Sequence, residues 1–243
     1  MNKLLLFLLT CFISIPIYAQ KKDHHLIEVK KTLQEVTIDG VANESFWEQT
    51  QWLDIDQLWM GGPYSAEDFS GRYKIRWNNE GILLLVEIVD DVIFDQYQDP
   101  FTLWWDDDCV EVFVDQDNSG GEHQYNHNAF AYHVAYNSRV IDIAPDKLPR
   151  DYSSHITAAH TKKETTYTWE LFVKLYDDSF TDGVAAQSQP LYPNSKVGFA
   201  LAYCDNDGSK ERENFIGSVY VPGEDKNQGW INADIFSTLV LMN

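Results

Sequence analysis

The sequence predicts an all-β protein, an antiparallel β-sandwich of the jelly-roll kind with one short helical segment. Short apolar segments with period-two alternation recur along the chain, and almost no stretch has helical periodicity. Turns rather than helices separate these segments. Regularly spaced strands without intervening helices are typical of a sandwich.

The strands are predicted in order along the chain. Residues 72–78, RYKIRWN, alternate apolar and basic side chains, which indicates a half-buried strand. The turn NNEG connects this strand to 82–89, whose continuous apolar run fits a central strand. Only 43–49, NESFWEQ, is predicted to be helical. The other predicted strands are 109–115, 129–137, 139–144, 154–161, 167–176, 197–205, 217–221 and 236–242.

Residues 1–19 have the pattern of a secretory signal peptide. A lysine precedes an apolar core, and Ala19 offers the small residue that cleavage requires. The sequence therefore predicts a secreted or periplasmic protein whose residues 20–243 form one domain without a membrane span. A lipid anchor at Cys11 is less favoured, because it would cut the apolar core in half.

Composition excludes some partners. The chain has 38 acidic against 18 basic residues and a net charge of −20, so its surface repels nucleic acid and suits neutral ligands or cations. Aromatic residues make up 14% of the chain, which is too many for a disordered protein. Outside the signal peptide the cysteines are Cys109 and Cys204, at predicted strand ends. Either a disulfide or two separate buried thiols would fit them.

Enzymatic signatures are weak. The sequence has no nucleophile elbow, no HExxH motif and no phosphate-binding glycine loop. Paired carboxylates that hydrolyse glycosides remain an alternative, because acids are abundant. A haem-binding sandwich is a less favoured alternative, because the methionines are poorly placed as ligands. His123, His127 and His133 lack the cysteines and spacing of a zinc site.

Acidic clusters in the loops favour structural calcium. The segment DQDNSGG places Asp115 and Asp117 at alternating positions ahead of a glycine, as at the opening of a calcium loop. Asn126 stands where such a loop would have its bidentate glutamate. The segment DNDG offers Asp205 and Asp207. The sequence therefore predicts that these four aspartates include calcium ligands.

The tryptophans fall into two groups. Trp47, Trp77 and Trp169 lie in apolar, periodic segments and are predicted to be core. Trp105 immediately precedes a strand, and Trp230 lies in a polar loop. Indoles in polar loops either cover the end of a sandwich or stack on a ligand, and sugar rings are suitable ligands because their C–H faces are apolar.

Five segments occur in an order known from one family. They are TIDGVANESFW (37–47), YKIRWNNEGILLLVEIVDD (73–91), WDDDCVEVFVDQDN (105–118), VGFALAYCDNDG (197–208) and GWINADIFSTLVL (229–241). Together they resemble carbohydrate-binding modules of family 9, over nearly all of residues 20–243. The resemblance implies a sandwich that binds a mono- or oligosaccharide without cleaving it. It also implies structural calcium and a role in the breakdown of polysaccharides such as xylan, and we expect a monomer.

The resemblance also assigns site residues. In such modules a glucose ring lies between two tryptophans, which correspond to Trp105 and Trp230, and a terminal unit of the glycan is bound. A sugar-binding glutamate corresponds to Glu111, and the position of a family arginine falls on His133. The chemistry of a sugar adds the neighbouring amides, which could bind the hydroxyl groups on the rim of the ring. The residues expected to bind the sugar are Trp105, Trp230, Glu111, His133, Asn227 and Gln228.

Overall fold

A computed structural model describes residues 25–243, so the predicted signal peptide and Cys11 lie outside the described residues. Two β-sheets pack face to face, and the predicted sandwich is confirmed. The single α-helix within 25–243, α1 (Ser45–Glu48), lies inside the predicted helical segment, and a 3₁₀ helix spans Ala233–Ile235. The strands are β1 (Leu26–Lys30), β2 (Leu53–Ile55), β3 (Gln57–Met60), β4 (Phe69–Asn78), β5 (Gly81–Asp90), β6 (Cys109–Asp115), β7 (Phe130–Ala135), β8 (Val140–Ile143), β9 (Pro149–Asp151), β10 (Ile156–Lys163), β11 (Thr166–Val173), β12 (Lys196–Asp205), β13 (Asn214–Gly217) and β14 (Ser237–Met242).

The larger sheet has nine strands. Seven follow the order β1-β14-β12-β6-β7-β8-β9, while β13 pairs with the second half of β12 and β3 pairs with β13. The smaller sheet has the order β10-β11-β5-β4-β2. Pairing between strands is antiparallel throughout the described residues except for β1 and β14, which run parallel. The predicted antiparallel sandwich therefore contains one parallel pair of strands, at the edge where the first strand lies alongside the last.

The unpredicted strands are short. β1, β2, β3 and β9 have three to five residues, too few for a clear alternation. The strand predicted at 217–221 is displaced, because β13 ends at Gly217. Val219 and Val221 instead bury their side chains outside the ladder, in the apolar cluster on the outer face of the larger sheet.

Strand β6 is buried on both faces, and its outer face carries residues of the candidate site. Val110, Val112 and Val114 point between the two sheets, into the main core. Because side chains alternate along a strand, Glu111 and Phe113 point to the outer face, where Phe113 belongs to an apolar cluster from β3, β13 and the last loop. Glu111 is only 1% exposed.

The predicted core tryptophans are buried. Trp77 and Trp169 are fully buried between the sheets, and Trp47 of α1 is buried on the outer face of the smaller sheet. None of the helices within residues 25–243 has the length and apolar character needed to cross a bilayer.

Candidate functional site

A cavity of about 250 Å³ lies on the outer face of the larger sheet, at the end where β6 begins. Its walls come from the turn before β6, from β6 to β8, from the loop between β12 and β13, and from the loop before β14. The lining residues are Trp104, Trp105, Glu111, Tyr125, His133, Asp142, Ile143, Arg212, Phe215, Asn227 and Trp230. Five of the six residues expected to bind sugar therefore line one cavity.

The turn before β6 presents two adjacent indoles to the cavity. Trp104 and Trp105 meet edge to face, with ring centroids 4.6 Å apart. Leu103 adopts a left-handed backbone conformation, with φ of 45°, and its carbonyl accepts the N–H of Asp106 at 2.8 Å. A leucine rarely adopts this conformation, so the turn is constrained by its surroundings.

Three consecutive aspartates supply that constraint. Asp107 accepts two backbone N–H groups from the loop after β5, at 2.9 and 3.3 Å. Asp108 accepts one from the same loop at 2.6 Å and one from the loop after β12 at 2.7 Å. Asp106 accepts the N–H of Arg212 at 3.1 Å. The crowded carboxylates therefore tie the tryptophan-bearing turn to the two loops beside it.

The floor of the cavity is a buried ionic cluster. One oxygen of Glu111 (Oε1) contacts His133 Nε2 at 2.7 Å and Arg212 Nη1 at 3.3 Å, and it accepts the Cys204 thiol at 3.0 Å. Burial alone would raise the pKa of Glu111. The charges of His133 and Arg212 and the hydrogen bonds outweigh burial, so the pKa is lowered and Glu111 is a carboxylate.

Arg212 is the main residue that sequence reasoning missed. Its side chain is only 9% exposed, and its guanidinium stacks on Phe215, 4.0 Å from the ring centroid. His133 occupies the position where the resemblance places an arginine, and Arg212 brings a guanidinium to Glu111 from a different loop. Nothing in the surrounding segment, DGSKERENF, marks Arg212 for this position.

The two predicted amides behave differently. Asn227 lines the cavity, and its side-chain oxygen is buried without a hydrogen-bond partner. Gln228 is not among the lining residues, contrary to expectation. Its side chain donates to Asp225 at 2.9 Å, and its carbonyl accepts the N–H of Ile231 at 3.0 Å, in the turn that carries Trp230. Gln228 therefore supports the loop.

Asp142 is a further polar group that the sequence did not indicate. Its two oxygens accept the backbone N–H groups of Ala131 at 2.8 Å and Ile143 at 2.7 Å. Burial raises its pKa well above the usual range. A protonated carboxyl can donate a hydrogen bond as well as accept one. Trp104 also has a buried indole N–H without a partner among the described residues.

The four aspartates predicted as calcium ligands do not form one site. Asp115 ends β6 and Asp205 ends β12, and because these strands are antiparallel the two residues lie at opposite ends of the sheet. Asp115 lies with Asp117 at one end. Asp205 and Asp207 lie at the other, where Asp207 comes within 4.8 Å of Asp68 and Asp91.

Each end of the sheet has an aspartate with a carboxylate oxygen that lacks a hydrogen-bond donor. One oxygen (Oδ1) of Asp115 and one of Asp205 are buried without a hydrogen-bond partner. Burial, together with the charge of Asp90, raises the pKa of Asp205 to about 8. Buried carboxylate oxygens without donors, crowded by other acids, fit a hard divalent cation such as calcium.

Comparison with known proteins identifies the kind of domain. The sequence model of the family described as "Carbohydrate family 9 binding domain-like" matches residues 38–243. Among curated protein sequences, none gives a significant match.

Solved structures with the same fold share little sequence. A family 9 carbohydrate-binding module from Caldicellulosiruptor kristjanssonii, in complex with glucose, is similar with a TM-score of 0.67 and 17% identity, over 90% of this chain and 96% of that one. Its complex with cellotriose gives the same TM-score and identity, over 90% and 94%. A protein from Bacteroides uniformis has a TM-score of 0.59 and 14% identity, over 90% and 99%. Since the family model spans most of the chain, the chain belongs to the carbohydrate family 9 binding domain-like family.

Proposed function

We propose that this chain binds the terminal sugar ring of a glycan, held between Trp105 and Trp230, and does not cleave it. The observation that carries the proposal is that these indoles, from separate loops, line one cavity with a buried ionic floor. Pockets for drug-sized ligands are about 300–1,000 Å³. A cavity of about 250 Å³ therefore suits a single pyranose.

The chemistry of the lining matches the chemistry of a sugar. A pyranose has two apolar faces and a rim of hydroxyl groups, and indoles can cover the faces. Glu111 accepts hydrogen bonds from hydroxyls, and Arg212 donates to them. Asn227, with its unpartnered oxygen, accepts another from the rim.

A ring that fills the cavity leaves room for the rest of the glycan only through the mouth, so the bound unit is a chain end. The glucose and cellotriose complexes of the C. kristjanssonii module support glucose-containing ligands.

The wider role is recognition of polysaccharide, including xylan, during its breakdown outside the cytoplasm. N-terminal sequencing of the exported protein tests this location. Cleavage after Ala19 supports it, and a chain that begins at a lipid-modified Cys11 contradicts it.

Calcium is part of the proposal as a structural ion. Asp115 and Asp117 would hold one ion, and Asp205 and Asp207 another. The support is the pair of buried, unpartnered carboxylate oxygens at Asp115 and Asp205. Such ions would fix the acidic loops without contacting the sugar.

Calorimetric titration tests the sugar proposal with glucose, cellotriose, xylotriose and a cyclodextrin, which has no chain end. We expect binding of one or more linear sugars and none of the cyclodextrin. Equal affinity for the cyclodextrin would contradict end recognition. New reducing ends during incubation would favour the hydrolase alternative, and no binding of any sugar would refute the proposal.

A further inference from the structure

The two cysteines face each other beside Glu111, which lines the cavity. Cys109, the first residue of β6, pairs with Cys204 of β12, and both are free, buried thiols. Glu111 lies two residues further along β6, on the same face, and His133 of β7 is its cross-strand partner. Three neighbouring strands thus bring two thiols, a carboxylate and an imidazole to one place.

The four groups are close enough to share one ion. One ligand atom from each of Cys109, Glu111, His133 and Cys204 lies within 4.8 Å of the others. Zinc bonds of about 2.0–2.3 Å in a tetrahedron place the ligand atoms about 3.3–3.8 Å apart. The Cys204–Glu111 and Glu111–His133 contacts, at 3.0 and 2.7 Å, are already shorter than this spacing. Small side-chain shifts would open the cluster around an ion.

The donor set selects the type of metal. Calcium prefers oxygen ligands, whereas two thiolates and an imidazole favour zinc and other thiophilic divalent ions. Cysteine binds metal as the thiolate. Two thiolates, one carboxylate, a divalent ion and the guanidinium of Arg212 sum to zero charge. Arg212 Nη1 already lies 3.1 Å from Cys204 Sγ and 3.3 Å from Glu111. A buried site therefore needs no further counter-charge.

We propose that Cys109, Glu111, His133 and Cys204 form a binding site for a thiophilic divalent cation of the zinc class, and that the ion competes with sugar. The proposal of a metal site depends only on the positions of these four side chains and not on the proposed sugar function. The competition rests on the proposed sugar function, because the ion would engage Glu111 and His133, the polar floor offered to the sugar. Ion and sugar would then exclude each other.

The experiment uses the full chain with Cys11→Ser, in thiol-free reductant and saturating calcium, and Co²⁺ as a spectroscopic probe. We expect one Co²⁺ per chain, with a thiolate-to-cobalt charge-transfer band and the intense visible bands of tetrahedral cobalt, and we expect Zn²⁺ to displace it. Cys109→Ser and Cys204→Ser should each weaken Co²⁺ binding and reduce the charge-transfer band, and the double variant should abolish it. His25→Gln, which changes an exposed histidine, is the matched control and should leave the spectrum unchanged.

Glucose and cellotriose titrations separate the two parts of the proposal. With Zn²⁺ at ten times its dissociation constant, mutual exclusion raises the apparent Kd for sugar about elevenfold. Cobalt bands without sugar binding by the metal-free protein would refute the sugar function and leave the metal site standing. Sugar binding without cobalt bands would refute the metal site. Both activities without mutual effect would refute the competition.

Two further results bear on the site. Glu111→Gln tests it without removing a thiol, and should weaken Co²⁺ binding while the charge-transfer band persists at higher cobalt. A charge-transfer band that persists when Cys109 and Cys204 are both replaced by serine would overturn the assignment. So would a Cys109–Cys204 disulfide, identified by peptide mass spectrometry, that persists in reductant.

Discussion

Replacing Trp105 by alanine separates binding from folding. The indole lines the cavity and is only partly buried, in a turn held by neighbouring loops. Loss of a central aromatic anchor costs about 2 kcal/mol or more of binding free energy, about thirtyfold in Kd. We expect the same loss for Trp230→Ala. Trp52→Ala is the matched control. Trp52 is also half-buried, but it lies on the smaller sheet under Arg72, so sugar binding should be unchanged.

The cost to stability follows from the contacts of each indole. Trp105 makes an edge-to-face contact with Trp104, and such contacts contribute about 0.5–1.5 kcal/mol. A loss of about 1 kcal/mol lowers the Tm of a domain this size by about 2–4 °C. Trp77 is fully buried, and its N–H donates to the Met242 carbonyl at 2.8 Å. Trp77→Ala should therefore cost about 3–5 kcal/mol.

The assay is sugar titration at a temperature well below each variant's Tm, with urea unfolding in parallel. Sugar binding by Trp105→Ala within twofold of wild type, with normal folding, would refute the stacking role. Destabilisation by Trp105→Ala as large as that by Trp77→Ala would show that the indole is a structural core residue.

Three further predictions follow from buried charges. Arg212→Met should weaken sugar binding at least about tenfold and lower unfolding free energy by about 3 kcal/mol, since it leaves Glu111 with less compensation; titration and urea unfolding measure both. Chelation should lower the Tm by several degrees, and the effect should be larger at pH 8 than at pH 5. Without calcium, the Asp205 pKa of about 8 lies above its unfolded value. The contribution of Asp205 to the free energy of unfolding is therefore present at low pH and lost as pH rises. Calcium binds the charged form and offsets that loss, and a chelator effect independent of pH would contradict this. Burial lowers the pKa of His123 to about 4, below its unfolded value. In saturating calcium, the contribution of neutral His123 to the free energy of unfolding is therefore lost as pH falls from about 6.5 to 4, by up to about 3 kcal/mol. His123→Gln should make the free energy of unfolding, measured with urea, less dependent on pH across that range.

The sequence predicts the fold and part of the site for identifiable reasons. Alternation along β6 implies the two faces that separate Val112 from Glu111, and the polar context of Trp105 and Trp230 marks them as loop indoles. These are local signals. Arg212 gives none, because its place over Glu111 depends on how the loop after β12 folds back across the sheet.

The other features that the sequence did not predict depend on how strands distant in sequence pair with one another. The pairing of Cys109 with Cys204 follows from the register of β6 and β12, which spacing rules along the chain do not capture. The same antiparallel register sends Asp115 and Asp205 to opposite ends, although their sequence contexts look alike. Gln228 and Asn227 are adjacent, but a turn points only one of them into the cavity.

The three aspartates before β6 have a thermodynamic consequence for recognition. They fix the Trp104–Trp105 turn through five backbone hydrogen bonds before any ligand arrives. Ordering a flexible loop or side chain on association would otherwise subtract from affinity, by about 0.5–1.5 kcal/mol per immobilised side chain. Here that entropy is lost during folding. The indoles are pre-organised, so a sugar can bind with little rearrangement of the backbone around it.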